Sequence, residues 1–388
     1  MISDWRLPIA DWRNGDSLSE PAIGNRQSAI AMRVIIAAGG TGGHVFPGVA
    51  IAREFNRRDP SADILFVGTA RGLETKIVPR EGFNLELISV GALKGVSVFE
   101  RVKSLAGLPM SFIAALRILR RFKPDVVIGV GGYSSGPTLL IAALLRIPTL
   151  VVEPNAMPGF TNRVLARLVD AAALGFADAQ KYFGQRGVVT GNPVRVDFAR
   201  LTKKARGERL DVLIFGGSQG ARAINRAIIG ALPLLAPKRD RLALTHQTGE
   251  PDFDMVKRAY ADAGFHSADV MPFIHDMAAQ FERADLLICR SGATTAAEVA
   301  AAGKAAIFIP FPYATDDHQR KNAEAFERVG AGRMILQKDL TPARLAEELN
   351  ALIEHPEEID RMEEASRGLG RADSTERAVD LAMSLVIL

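Results

Sequence analysis

The layout "RVIIAAGGTGGH" at residue 33 returns as "DVLIFGGSQGAR" at residue 211: an apolar run, two glycines, a hydroxyl residue, a further glycine, then a helical pattern. Apolar runs without polar alternation suit strands buried on both faces of a parallel sheet. Further runs of this kind follow in each half. The first half holds "DILFVGT", "PDVVIGVGG", "IPTLVVE", "AAALGF" and "GVVTGNPV"; the second holds "LALTHQTG", "ADLLICRSG", "KAAIFIPFP" and "GRMILQ". Longer helical patterns separate them, so the chain reads as α/β with doubly wound parallel sheets. The repeat predicts two Rossmann-like domains facing across a cleft. Each glycine turn then lies at the carboxyl end of its first strand, where open α/β sheets bind ligands.

The divisions follow from composition. Charge and turn residues gather in "GNPVRVDFARLTKKARGERL", which places a first domain at 32–193 and a second at 194–360. Residues 361–388 read as a C-terminal helix crossing back to the first domain. Residues 1–31 lack the charged and apolar regions of a secretory signal and show no strand or helix periodicity. They are expected to be a flexible extension, or the product of an upstream start codon.

The glycine turns fit neither familiar nucleotide signature. Counting G-x-G-x-x-G from Gly40 puts Val45 at the third glycine, and the second apolar run ends in "FVGT" without an acidic residue. No Lys-Ser/Thr follows either glycine run, so a P-loop is excluded as well. What remains is close backbone approach and a helix N-terminus open to an anion. A tight turn without ligand is the plain alternative, weakened by the device occurring twice. His44 sits at the first junction.

The single cysteine, Cys289, rules out an intramolecular disulfide framework. A formal charge of +4 favours anionic partners such as phosphates or a membrane surface. Nucleic acid is not expected, because the basic residues are scattered and no aromatic-basic platform accompanies them. No apolar run is long enough to span a bilayer. No Asp-x-Asp motif stands beside either glycine run and no Cys/His cluster occurs, so neither a tightly held metal nor another cofactor is expected.

Eight segments in sequence order carry a resemblance: "GGTGGHVFPG", "GVGGYSSGP", "EPNAMPGFTNR", "GNPVR", "GGSQGARAIN", "HQTG", "CRSGATTAAEVAAAGKAAIFIP" and "DDHQRKNAEAF". Together they resemble the MurG family, the peripheral membrane N-acetylglucosaminyltransferases that convert lipid I to lipid II in peptidoglycan synthesis. The match runs from about Met32 to Gly330. It implies the two-Rossmann GT-B fold and inverting transfer of GlcNAc from UDP-GlcNAc to the C4 hydroxyl of the MurNAc of lipid I. It also implies residence at the cytoplasmic face of the membrane, with other cell-wall synthesis proteins as further partners.

The resemblance carries roles onto particular residues. For the donor it implies Glu298 on the ribose hydroxyls, with Ala293, Thr294, Thr295, Ala296 and Ala297 as further substrate-binding positions and Ser218 and Gln219 at the diphosphate. It further implies Ile274 beside uracil, Gln319 on the GlcNAc hydroxyls, and Arg195 and Arg290 offsetting the leaving-group charge. On the first domain, Thr41, Gly42 and Gly43 cradle the acceptor diphosphate or reach the donor across the cleft, and Tyr133 and Asn155 match cleft positions. His44 is the candidate general base, with a pKa range suited to it; a helix cap or packing residue is the alternative. Family members often read "HEQN" where this chain has "VEPN", so Val152 and Pro154 replace polar residues beside Glu153 and Asn155. Where the family commonly has a glutamine pair, this chain has His318-Gln319.

The segment "SVFERVKSLAGLPMSFIAALRILRRFKPD" mixes Phe99, Leu105, Leu108, Met110, Phe112, Ile113 and Leu116 with Arg101, Lys103, Arg117, Arg120, Arg121 and Lys123. An apolar surface rimmed by basic residues suits an anionic leaflet; a helix packed on the sheet is the alternative. A UDP-GlcNAc 2-epimerase, another UDP-sugar transferase and a non-catalytic sugar-nucleotide-binding subunit are the rival readings. An NAD-dependent oxidoreductase is disfavoured by the missing acidic residue.

Overall fold

Every apolar run singled out above forms a strand, and the strands gather into two all-parallel sheets. The computed structural model describes residues 31–40, 42–70, 72–90, 98–202, 205–217 and 220–386. The first sheet holds β1 (Arg33–Ala38), β2 (Asp63–Gly68), β3 (Asn84–Leu87), β4 (Val126–Gly131), β5 (Thr149–Glu153), β6 (Ala171–Leu174) and β7 (Gly187–Val189). The second holds β8 (Leu210–Phe215), β9 (Leu242–Gln247), β10 (Asp269–Met271), β11 (Leu286–Cys289), β12 (Ala305–Phe308) and β13 (Gly332–Met334). Their orders are β3-β2-β1-β4-β5-β6-β7 and β10-β9-β8-β11-β12-β13. The order therefore reverses between β1 and β4 in one sheet and between β8 and β11 in the other, and crevices open at these two points.

The first sheet is wrapped by α1 (Gly42–Arg58), α2 (Glu74–Arg80), α3 (Val98–Phe122), α4 (Ser135–Leu144), α5 (Phe160–Leu165) and α6 (Gln180–Phe183). After α7 (Val196–Ala199), the second is wrapped by α8 (Arg222–Leu235), α9 (Phe253–Asp262), α10 (Met277–Arg283), α11 (Ala293–Ala302), α12 (His318–Arg328), α13 (Pro342–Glu354) and α14 (Pro356–Leu369). The last helix is α15 (Ser374–Ser384).

The central strands show why alternation is missing from the sequence. Val34, Ile36 and Ala38 of β1 face one core with α1, while Ile35 and Ala37 face another with Ile118, Leu119 and Leu139. β8 divides the same way, with Val212 and Ile214 on one side and Leu213 and Phe215 on the other. Each such Val, Leu, Ile or Phe side chain stabilises the fold by about 1.5–3 kcal/mol relative to exposure, before conformational entropy is counted.

The C-terminal segment divides at Gly370. Helix α14 lies on α11 and β12 of the second domain, whereas α15 lies on α1 and across β4, β5 and β6. Ala378, Val379, Leu381 and Ala382 of α15 are buried in the first domain's core. Arg58 of α1 donates to the Glu376 carbonyl at 3.1 Å and pairs with Asp380. The return to the first sheet thus begins at Gly370 and not at 361. Where the chain passes between the domains, Ser374 Oγ donates to the Asn192 carbonyl at 3.0 Å, holding the outgoing and returning segments together.

Candidate functional site

On the first domain, the turns after β1 and β4 press against each other. A Cβ on Gly132, whose φ is +83°, would fall 2.1 Å from the Gly39 carbonyl oxygen, so only glycine permits this approach. His44 lies on the first turn of α1, half-buried, and packs on Gly131, where a Cβ would come within 2.7 Å of its ring. Its Nδ1 lies 3.2 Å from the Gly39 carbonyl oxygen. The tautomer that makes this a hydrogen bond carries its proton on Nδ1 and leaves Nε2 as an acceptor. Burial pushes the imidazole pKa below its ordinary value. The Gly39 carbonyl opposes that, His318 across the cleft adds to it, and Glu74 opposes it. The ring is therefore neutral at neutral pH and able to take a proton.

On the second domain, the glycine turn is fastened to its neighbours by one side chain. Gln247 at the end of β9 donates from Nε2 to the Gly217 carbonyl at 2.8 Å and accepts from the Ile274 N–H at 2.8 Å. Gly220, with φ +74°, has room for no Cβ, which would lie 1.9 Å from the Thr248 carbonyl oxygen. Ile274 itself is buried among Phe215 and Phe281, and Phe273 beside it is exposed. Among the described residues no N-cap side chain closes α8 or α11, which leaves N–H groups at both helix starts for an anion.

A cleft of ≈ 680 Å³ runs between these parts. Gly43 reaches it from the first domain; Gly216, Gly217, Arg222, Arg290, Gly292, Thr295, Gln319 and Gln337 line it from the second. Arg290, just after β11, donates to the carbonyls of Ile309 at 2.9 Å and Pro310 at 3.1 Å, and to Gln337 Oε1 at 2.7 Å. Burial lowers its pKa to about 10, which leaves it cationic. Gln319 accepts from the Phe311 N–H at 3.0 Å, and its carbonyl accepts from Ser291 Oγ at 2.8 Å.

Glu298, on the second turn of α11, is buried, which raises its pKa, while Arg195 lowers it. The two are joined by a 3.0 Å hydrogen bond from Arg195 Nη2 to Glu298 Oε1. Arg195 also lies over the rings of Phe198, at 4.6 Å, and Phe46 of α1, at 5.8 Å. Ahead of Glu298, Ala296 and Ala297 are buried, the Thr294 hydroxyl is buried with no hydrogen-bond partner, and the Ala293 carbonyl accepts from Asn192 at 3.3 Å.

Other expected site residues fall differently. Tyr133 is exposed on the turn after β4. Asn155 is buried and directed to the other domain: its Oδ1 accepts from Asn322 Nδ2 at 3.2 Å, while Asn322 Oδ1 accepts from the Ala156 N–H at 3.0 Å. Glu153 organises this segment by accepting from the N–H groups of Asn155 and Gly159 and from the side-chain amides of Asn155 and Asn162, at 2.8–3.1 Å. Gly42 opens α1. Thr41, Ser218 and Gln219 lie outside the described residues, and the side chains of Phe99, Arg101, Lys103 and Leu105 are likewise not described.

Sequence reasoning passed over Gln247, Gln337, Arg222 and Glu74. Gln247 and Arg222 stood inside quoted motifs, but nothing in the sequence showed that Gln247 spans two loops. Nor did it show that Arg222 pairs at 3.1 Å with Asp252, whose Oδ2 also accepts from Asn225 at 2.9 Å. Among the described residues no group of three or more His, Cys, Asp or Glu side chains is placed to hold a metal ion.

Two family models match. The glycosyltransferase family 28 N-terminal domain covers residues 34–174 and the family 28 C-terminal domain covers 211–380. The UDP-N-acetylglucosamine–N-acetylmuramyl-(pentapeptide) pyrophosphoryl-undecaprenol N-acetylglucosamine transferase of Syntrophus aciditrophicus is 48% identical over 362 residues, covering 92% of this chain and 100% of that protein. Among solved structures, Acinetobacter baumannii MurG superposes with a TM-score of 0.77 at 32% identity, covering 91% of this chain and 99% of that one. A UDP-GlcNAc 2-epimerase from Neisseria meningitidis reaches a TM-score of 0.65 at 15% identity, covering 91% of this chain and 100% of that one, a likeness of fold alone.

Proposed function

The chain belongs to the MurG family of glycosyltransferase family 28, and on that premise we propose how its cleft works. The reaction is transfer of GlcNAc from UDP-GlcNAc to the C4 hydroxyl of MurNAc in lipid I, giving lipid II. The carrying observation is the arrangement of the cleft. His44 follows Gly43, which reaches the cleft from the first domain, and the α8 and α11 starts with Arg290 stand on the other side.

In this reading UDP lies against the second domain. Its ribose hydroxyls donate to Glu298 and its uracil lies beside Ile274, while Thr295 and the α8 and α11 starts receive the diphosphate. Gln319 meets the sugar hydroxyls. The MurNAc O4 attacks C1 of GlcNAc from the face opposite UDP, which inverts the anomeric centre. The O4 proton passes to His44 Nε2, the C1–O bond to the β-phosphate breaks, and UDP departs with that electron pair. Arg290 and the helix N-terminal N–H groups stabilise the charge it carries away. Ser218, Gln219 and Thr41 keep their expected phosphate roles, as do Gly42 and Gly43 on the first turn. Asn155 acts by holding the second domain in place through Asn322.

Lipid I is reached from the surface formed by α3, α4 and α5. Met110, Ile113, Leu144, Phe160, Val164 and Leu168 are exposed there, with Arg117, Arg120 and Arg121 exposed on α3. No helix among the described residues is long and apolar enough to cross a membrane. We assign this surface to the anionic cytoplasmic leaflet. We also place a first domain at 32–193 and a second from 194 to Leu369, with α15 completing the first.

The experiment supplies radiolabelled UDP-GlcNAc with and without a short-chain lipid I analogue. Label entering lipid only when the analogue is present, with equimolar UDP release, supports the assignment. Epimerised sugar without lipid product would transfer it to the epimerase reading.

A further inference from the structure

Behind the first glycine turn sits a carboxylate that the reaction as described does not use. Glu74 opens α2 and is fully buried, with 0% exposure. Its Oε2 accepts from the Gly40 N–H at 2.9 Å; its Oε1 accepts from the Thr69 N–H at 2.7 Å and the Thr69 hydroxyl at 2.9 Å. Three glycines make room for it. A Cβ would stand 2.7 Å from its Oε1 at Gly39, 2.5 Å from its Cγ at Gly68 and 1.9 Å from its Oε2 at Gly72.

Burying a carboxylate is costly unless something compensates it. Backbone and hydroxyl donors supply part of that compensation, and they tie Glu74 to the residue next to Gly39. The Gly39 carbonyl is in turn the partner of His44 Nδ1, at 3.2 Å. The order in space is therefore carboxylate, glycine turn, imidazole. We propose that Glu74 is a positioning residue for His44. By holding Gly40 it fixes the Gly39 carbonyl that orients the ring, and its charge supports the imidazolium formed when the acceptor proton arrives. The inference rests on His44 serving as the base.

Among the described residues, few charged groups surround His44. Glu74 approaches from α2, and His318, at the start of α12, approaches from the second domain and acts in the opposite sense. Arg195 lies over Phe46, two residues along α1, and is engaged with Glu298. From α15, Asp380 meets α1 at its far end, at Arg58.

The test follows the His44 imidazole by NMR titration of the ¹⁵N-histidine-labelled full chain, alongside kcat and KM. The resonance is assigned by its loss in His44→Gln. In Glu74→Gln the His44 titration moves to lower pH by on the order of half a pH unit or more, because a nearby negative charge favouring the cation is gone. The kcat falls about tenfold, less than the roughly 10²–10⁴-fold expected on losing the base itself because His44 is still present, while the KM for UDP-GlcNAc is unchanged. Thr69→Val removes one hydrogen bond and keeps the charge, so it leaves the titration in place. Should Glu74→Gln fail to fold, Glu74→Asp carries the test, its shorter arm giving a smaller shift in the same direction. An unmoved His44 titration in the folded Glu74 variant overturns the proposal, and so does an equal shift in Thr69→Val. The titration needs no turnover, so absent transfer activity would count against the functional reading alone.

Discussion

Arg195 donates to Glu298 Oε1 at 3.0 Å, and the same guanidinium lies over Phe46 of the opposite domain. The residue expected to serve the leaving group thus holds the residue expected to serve the ribose. Arg195→Ala leaves a buried carboxylate without its cation. Because Arg195 is itself partly exposed, the cost is about 1–2 kcal/mol rather than that of a fully buried pair. The expected outcome is a lower Tm and a KM for UDP-GlcNAc raised about tenfold. Glu298→Ala should raise that KM at least as far. An unchanged donor KM in both variants would remove the pair from the donor site.

His44 sets a pH dependence whose sign can be worked out. A general base acts deprotonated, so kcat/KM rises as pH climbs through its pKa and then levels. Burial holds that pKa below the ordinary imidazole value, so the acid limb lies below about pH 6.5 and the plateau covers neutrality. His44→Ala should lower kcat by about 10²–10⁴-fold. Donor affinity, read by calorimetry with UDP-GlcNAc, should change little. Unchanged kcat removes His44 from catalysis.

Gly220→Ala tests the second turn. The new methyl carbon meets the Thr248 carbonyl oxygen at 1.9 Å on a backbone with φ +74°, so the turn must move. Strain of this kind costs on the order of 1–3 kcal/mol. UDP binding should weaken sharply while far-UV circular dichroism stays close to wild type.

Charge reversal of Arg117, Arg120 and Arg121 should reduce binding to anionic vesicles by roughly 1 kcal/mol for each residue near the surface. Binding by the parent chain should also fall with added salt. Serine at Met110 and Ile113 should weaken binding with little dependence on salt. Co-sedimentation reads both series, and unaltered binding in all variants would reassign this surface.

The parts of the fold that sequence made plain are those buried on both faces. β1, β4, β5, β8, β11 and β12 announce themselves because both sides of the strand pack against apolar cores, so their central residues are almost all aliphatic. β3 ("NLEL") and β10 ("DVM") went unseen, being short edge strands with polar or half-exposed positions. At the site, single residues could be singled out from motif and resemblance, as His44 and Glu298 were, their roles resting on the reading proposed above. Relations between distant segments could not. Gln247 reaching Ile274, Glu74 reaching Gly40, and Asn155 turning to Asn322 depend on sheet order and domain packing, which no window of sequence contains.

Helix α15 bears on how the protein is made. It contributes Ala378, Val379, Leu381 and Ala382 to the core beneath α1, yet it is synthesised only after every element of the second domain. While the second domain is being translated, an interval on the order of ten seconds at ordinary elongation rates, the first domain carries an uncovered apolar strip along α1. Transiently exposed apolar surface of this kind is prone to aggregation and is what chaperones exist to shield. A ribosome that stalls or terminates before Ser374 releases a product that is incomplete in its oldest part.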